Sequence, residues 1–85
     1  MSVTVIFRSK GEHTRLVEEF LHDFEKWTGR TLNTIDPDTR EGIAICQLYD
    51  IVQYPSIVAT DTDGTMRNMW QGLPMPTIDE VSAYV

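Results

Sequence analysis

An α/β domain of order βαβαββα is predicted by three features of this 85-residue sequence. A β-rich run at the start gives way to a helical apolar stripe and then to a second β-rich run. Tyr54-Pro55 marks a corner where a helix ends and a strand begins. Asp63-Gly64 then joins two more β-rich runs. Strand, helix and strand in succession favour a right-handed parallel crossover, whereas Asp-Gly between two such runs favours an antiparallel hairpin.

Val3 to Arg8 is rich in β-branched and aromatic residues. Val3, Val5 and Phe7 fall on one face and Ile6 on the other, so this reads as a central strand covered on both sides. Ser9 to Thr14 is polar. Ser9 and Glu12 have capping-box spacing, with Thr14 as the alternative cap. From Arg15 the period turns helical: Leu16, Val17, Phe20, Leu21, Phe24 and Trp27 form one stripe, and Glu18, Glu19, Asp23, Glu25 and Lys26 face water. Leu16, Phe20, Phe24 and Ile6 are the expected core, with Trp27 packed at the end of the stripe. Gly29 is the natural stop.

Thr31 to Ile35 reads as the second strand, ended by Asp36-Pro37-Asp38. Arg40 to Ile51 is a helix weakened by Gly42. Pro55 cannot donate to a ladder, so it belongs at the first position of a strand or on an edge, and its bond to Tyr54 is a candidate cis peptide. Ser56–Thr60 and Thr65–Trp70 flank Asp63-Gly64, which suits a type I′ turn. Pro74 and Pro76 break the chain. Thr77-Ile78-Asp79-Glu80 is a capping box that starts a final helix with Ile78, Val81 and Tyr84 on one face.

Composition restricts the function. Residues 1–85 suffice for a single domain with one small core, and 41% hydrophobic content argues against disorder. The charge of -6, from 7 basic and 13 acidic residues, disfavours non-specific binding to nucleic acid or anionic lipid. No apolar run is long enough to span a membrane, and Met1-Ser2-Val3-Thr4 does not read as a signal peptide. A single cysteine, Cys46, precludes an intrachain disulfide and fits a reducing compartment. A cytoplasmic location is expected.

The Tyr54-Pro55-Ser56 corner, Asp63-Gly64-Thr65, and Trp70-Gln71-Gly72 before Leu73-Pro74 together resemble the thioredoxin/glutaredoxin-like superfamily across nearly the whole chain. The resemblance implies the minimal thioredoxin-like fold, a four-stranded mixed sheet with helices on both faces. It also implies a groove beside a cis-proline, lined here by Gly11, Glu12, His13, Thr14, Tyr54, Pro55, Trp70 and Gly72. The family's two redox cysteines would fall nearest Gly11 and Thr14, and neither is present. Glycine carries no nucleophile, and an alcohol needs an adjacent base. Val5 stands where thioredoxins bury a carboxylate. Dithiol exchange, which starts from a thiolate, is therefore not expected, and the chain reads as a redox-inactive binder of an unidentified protein or peptide. The resemblance places the backbone before the proline against an extended partner.

Other side chains invite sharper roles with less support. Cys46 sits in an apolar helical run with no adjacent Lys, Arg or His, so a packed thiol is expected rather than a reactive one. His13 lacks metal-ligand partners and reads as a solvated loop residue. Asp61-Thr62-Asp63-Gly64 has too few oxygen ligands at the right spacing for calcium. Met66 and Met69 fall on opposite faces of their strand, which favours packing over a soft-metal site. Trp70 fits either the groove or burial under the last helix. No cofactor is implied. The alternative is an unusual thiol-dependent or glutathione-related oxidoreductase using Cys46 or His13.

Overall fold

The computed structural model describes residues 2–85. Its elements are β1 (Ser2–Ile6), α1 (Thr14–Thr28), β2 (Asn33–Ile35), α2 (Arg40–Leu48), β3 (Ser56–Thr60), β4 (Met66–Gln71) and α3 (Ile78–Ser82). The sheet has the order β2-β1-β3-β4. β1 and β2 are parallel, whereas β3 runs antiparallel to both β1 and β4.

Alternation along the central strands divides the core between the two faces. Val3, Val5, Ile57 and Ala59 face α1 and α3, where they meet Val17, Phe24 and Val81. Ile6 and Val58 point the other way and pack with Cys46 and Ile51. The sheet is thus covered on both faces, as the apolar residues on both sides of β1 require.

The helical stripe of α1 is seated differently from the expectation. Val17 and Phe24 are fully buried and Phe20 is half-buried, but Leu16 is 45% exposed and Trp27 74% exposed. Helical geometry explains the correction. At about 100° per residue, Leu16 and Trp27 lie on one flank, roughly 80–100° from Val17. The sheet covers the arc centred on Val17 and Phe24, and that flank passes beyond its reach. Leu16 and Trp27 are therefore not core residues.

The caps also differ in part. His13 is the N-cap of α1 and makes no side-chain cap bond, so the Ser9–Glu12 box does not form. Gly29 closes α1 in the left-handed region, with φ 73°. Thr39 caps α2 through Gly42 N–H, and Thr77 with Glu80 forms the complete capping box of α3. α2 ends at Leu48, short of Ile51, because Asp50 turns to φ 54° and reverses the chain.

The hairpin is longer than a two-residue I′ turn. Asp61 N–H donates to Thr65 C=O, Gly64 N–H donates to Asp61 C=O, and Gly64 alone of Asp63-Gly64 has positive φ. A register shift between Ala59 and Thr60 accommodates the extra chain on β4. Met69 packs under α2 while Met66 stays exposed.

Candidate functional site

β1 and β2 are parallel neighbours, so their C-terminal ends lie side by side and deliver two loops to one end of the sheet. The loop after β1 brings Arg8 and residues 9–13, and the loop after β2 brings Asp36, Pro37 and Asp38. The segment entering β3 supplies Tyr54 and Pro55 from the other side of β1. Between them lies a cleft of about 230 Å³ lined by Phe7, Arg8, Gly11, Glu12, His13, Thr14, Tyr54 and Pro55.

Six of the eight residues expected from the sequence meet in this cleft: Gly11, Glu12, His13, Thr14, Tyr54 and Pro55. Gly72 is buried behind it, its N–H donating to the Pro55 carbonyl at 2.9 Å, with φ 71°. A Cβ there would run into the Gln53 side chain. Trp70 does not line the cleft. Its ring packs edge-on against Tyr84, 5.7 Å between centroids, on the α1/α3 face. Burial beneath the last helix is thus the environment of Trp70. His13 is half-buried at the start of α1 rather than in a free loop.

Thr14 stands at the position of greatest interest for nucleophilic chemistry, and its hydroxyl is committed to the loop. Thr14 Oγ1 accepts from Gly11 N–H at 2.6 Å and donates to the Arg8 carbonyl at 2.7 Å. That arrangement stiffens residues 8–14 and leaves no base positioned to activate the hydroxyl. Among the described residues, no three His, Cys, Asp or Glu side chains converge as metal ligands would.

Arg8 is the functional candidate that sequence reasoning missed. Its Nε and Nη2 donate to the two carboxylate oxygens of Asp38 at 2.9 and 3.3 Å, a fork that fixes the guanidinium plane. The guanidinium carbon lies 4.8 Å from the centroid of the Tyr54 ring, within cation–π range. Hydrogen bonding to Asp38 also holds the Arg8 pKa above its ordinary value. Asp38 is oriented by its own N–H, which donates to Asp36 Oδ1 at 2.8 Å. At the other end, Tyr54 Oη donates to Cys46 Sγ at 3.7 Å. That bond, followed by burial, raises the Tyr54 pKa. One polar chain therefore crosses the sheet end from Asp36 through Asp38, Arg8 and Tyr54 to Cys46.

The backbone beside Pro55 is the second notable element. The Tyr54–Pro55 and Leu73–Pro74 peptides are both cis. No hydrogen bond among the described residues engages the Tyr54 N–H or C=O, although Tyr54 is half-buried and its side chain is held at both ends.

A structural comparison decides the architecture. Thioredoxin 1 from the thermophilic eubacterium Thermosipho africanus TCF52B superposes with a TM-score of 0.66, covering 99% of this chain and 89% of its own. The fold is thioredoxin-like. Sequence identity to that protein is 13%. A malarial protein is similar at TM-score 0.64 and 12% identity, covering 96% of this chain and 89% of its own. No protein-family model and no curated protein matches the sequence. On this thioredoxin-like frame the segment that joins β1 to the start of α1 contains Gly11 and Thr14 and no cysteine.

Two carboxylates, Asp36 beside the cleft and Asp63 in the β3–β4 hairpin, make folding acid-sensitive. The Asp38 backbone N–H holds the Asp36 carboxyl below the usual carboxylate range, and the Thr65 N–H does the same for Asp63. A depressed folded-state pKa gives stability that is present above the unfolded value, about 4. It is lost as the pH falls through the folded value. The melting midpoint should therefore drop on acidification below about pH 4, and the Asp36→Asn, Asp63→Asn double variant should show a shallower drop. An unchanged acid slope in that variant would contradict the assignment. Tyr54 acts at the opposite end of the scale: its raised pKa favours the folded state until the phenol ionises in alkali.

Proposed function

We propose that this chain is a redox-inactive, thioredoxin-fold binding module that holds an extended protein or peptide segment against Tyr54 and Pro55. The observation that carries this reading is the Tyr54 backbone: its N–H and C=O have no partner among the described residues, and Tyr54 lines the cleft. A partner strand can satisfy both groups and gain affinity through main-chain bonds. The adjacent cleft, with Phe7, the Tyr54 ring and Pro55, offers an apolar seat for one partner side chain.

The lack of dithiol chemistry follows from the residues rather than from the fold. Cys46 is the one cysteine, and it is buried on the α2 face with its sulfur accepting from Tyr54. A thiol so placed packs; it does not attack. Its presence as a free thiol fits action in a reducing compartment such as the cytoplasm. At a net charge of -6, a protein or peptide is a better partner than nucleic acid or an anionic lipid surface.

Titration of the isotopically labelled protein with carboxymethylated insulin B chain tests the reading, with amide resonances as the signal. The expected result is a cluster of shifts at residues 11–14 and 53–55, with roughly tenfold weaker binding for Tyr54→Ala. Insulin reduction by dithiothreitol should proceed at its uncatalysed rate. Shifts confined to other surfaces would overturn the groove, and accelerated reduction would overturn the redox-inactive assignment.

A further inference from the structure

β4 is the outer strand of the sheet, with β3 on one side and, among the described residues, no strand on the other. The outward backbone groups of such a strand are a template for pairing with another chain. Ladder parity identifies them. Gly72 N–H donates to the Pro55 carbonyl, and Trp70 and Asn68 stand opposite Ile57 and Ala59 in the same register. Bonded pairs alternate along an antiparallel ladder, so Trp70 and Asn68 direct their amides toward β3. Met69 and Gln71 direct theirs outward.

The outward Met69 amide is occupied. It donates to Oδ1 of Asn68, its own neighbour, at 2.7 Å. The other end of that side chain is tied down, with Asn68 Nδ2 donating to Tyr84 Oη at 3.1 Å. Tyr84 in turn packs against Trp70. The Asn68 amide is thus held from the C-terminal segment while it blocks a hydrogen-bond donor of the sheet edge. Two neighbouring features act in the same direction. The register shift beside Thr60 distorts the end of the strand, and Arg67 pairs with Asp61 at 3.5 Å, placing charge along it.

The sequence of β4 makes such a block necessary. Met66-Arg67-Asn68-Met69-Trp70-Gln71 carries one charge, and Met66 is 43% exposed. Antiparallel self-pairing centred on Trp70 would set the two outward residues, Met69 and Gln71, opposite one another and leave Arg67 facing no second charge. No like charges would oppose one another. A second copy of the same strand is therefore the partner that this edge fits.

We propose that the Asn68 side chain closes the β4 edge against antiparallel pairing with a second copy of this chain. Removing it frees the Met69 amide and opens a self-complementary strand. This inference is independent of peptide binding at Tyr54, which lies at the end of the sheet rather than along β4.

Amide exchange and sedimentation velocity test it together. In the dilute wild-type protein, the Met69 amide should exchange more slowly than that of Gln71, the other outward amide. Asn68→Ala should speed Met69 exchange roughly tenfold, the worth of one hydrogen bond, and leave the β3-facing Trp70 amide unchanged. At high concentration, Asn68→Ala and Asn68→Val should form dimers in which the Gln71 amide becomes protected, while the wild type does not. Equal exchange at Met69 and Gln71 in the wild type would overturn the proposal even if the variants failed to fold. So would folded variants that gain no association through β4.

Discussion

Replacing Phe24 by alanine is expected to cost about 3–5 kcal/mol of folding stability, the range for a large aromatic removed from a closed core. Phe24 is fully buried and joins β1, β3 and α3 through Val3, Val5, Ile57 and Val81. Its loss leaves a cavity at the meeting point of three elements. Domains of this kind are held by roughly 5–15 kcal/mol in total, so the variant should be partly unfolded near physiological temperature. Trp27→Ala, on the exposed flank of the same helix, should stay within about 0.5 kcal/mol. Urea unfolding of the two variants measures the contrast. Comparable losses would show that α1 turns a different arc toward the sheet.

Gly42→Ala is expected to destabilise, against the usual trend. In a helix, alanine is ordinarily better than glycine by about 0.5–1 kcal/mol. Here the added Cβ would overlap the Asp36 carbonyl oxygen and lie 2.8 Å from both the Asp36 carbonyl carbon and Pro37 Cα. These are backbone atoms, so relief requires moving the 36–38 loop or α2 itself. Overpacking of this kind costs about 1–3 kcal/mol, which exceeds the propensity gain. The effect should extend to the cleft, because Asp38 holds Arg8 over Tyr54. Shifted Arg8 and Tyr54 resonances together with a lower urea midpoint are the expected signature. A variant more stable than wild type would refute the close approach.

Six of the eight residues that line the cleft were legible because they are local. Gly11 to Thr14 is a contiguous segment at a strand–helix junction, and Tyr54-Pro55 is a dipeptide with its own backbone constraint. Arg8 was passed over because its meaning depends on Asp38, thirty residues away. The signal was nevertheless present in the expected parallel crossover. Parallel neighbours bring their C-terminal ends together, so a basic residue after β1 and an acidic residue after β2 are placed side by side. Trp70 was ambiguous for the opposite reason. Its strand position allowed two environments, and only the docking of Tyr84 selected one.

The order of elements, the two-sided burial of β1, the Gly29 stop and the Thr77–Glu80 capping box were determined by the sequence itself. Each depends on neighbours within a few residues, where periodicity and backbone chemistry suffice. Tertiary structure alone decided which arc of α1 meets the sheet, because an apolar stripe wider than the available surface does not specify its own centre. It also decided that Gly42 marks a close approach to Asp36 rather than a weak point, and that Asn68 turns its side chain onto the edge of its own strand. These outcomes depend on distances between segments remote in the chain, and such distances exist only once the sheet has assembled.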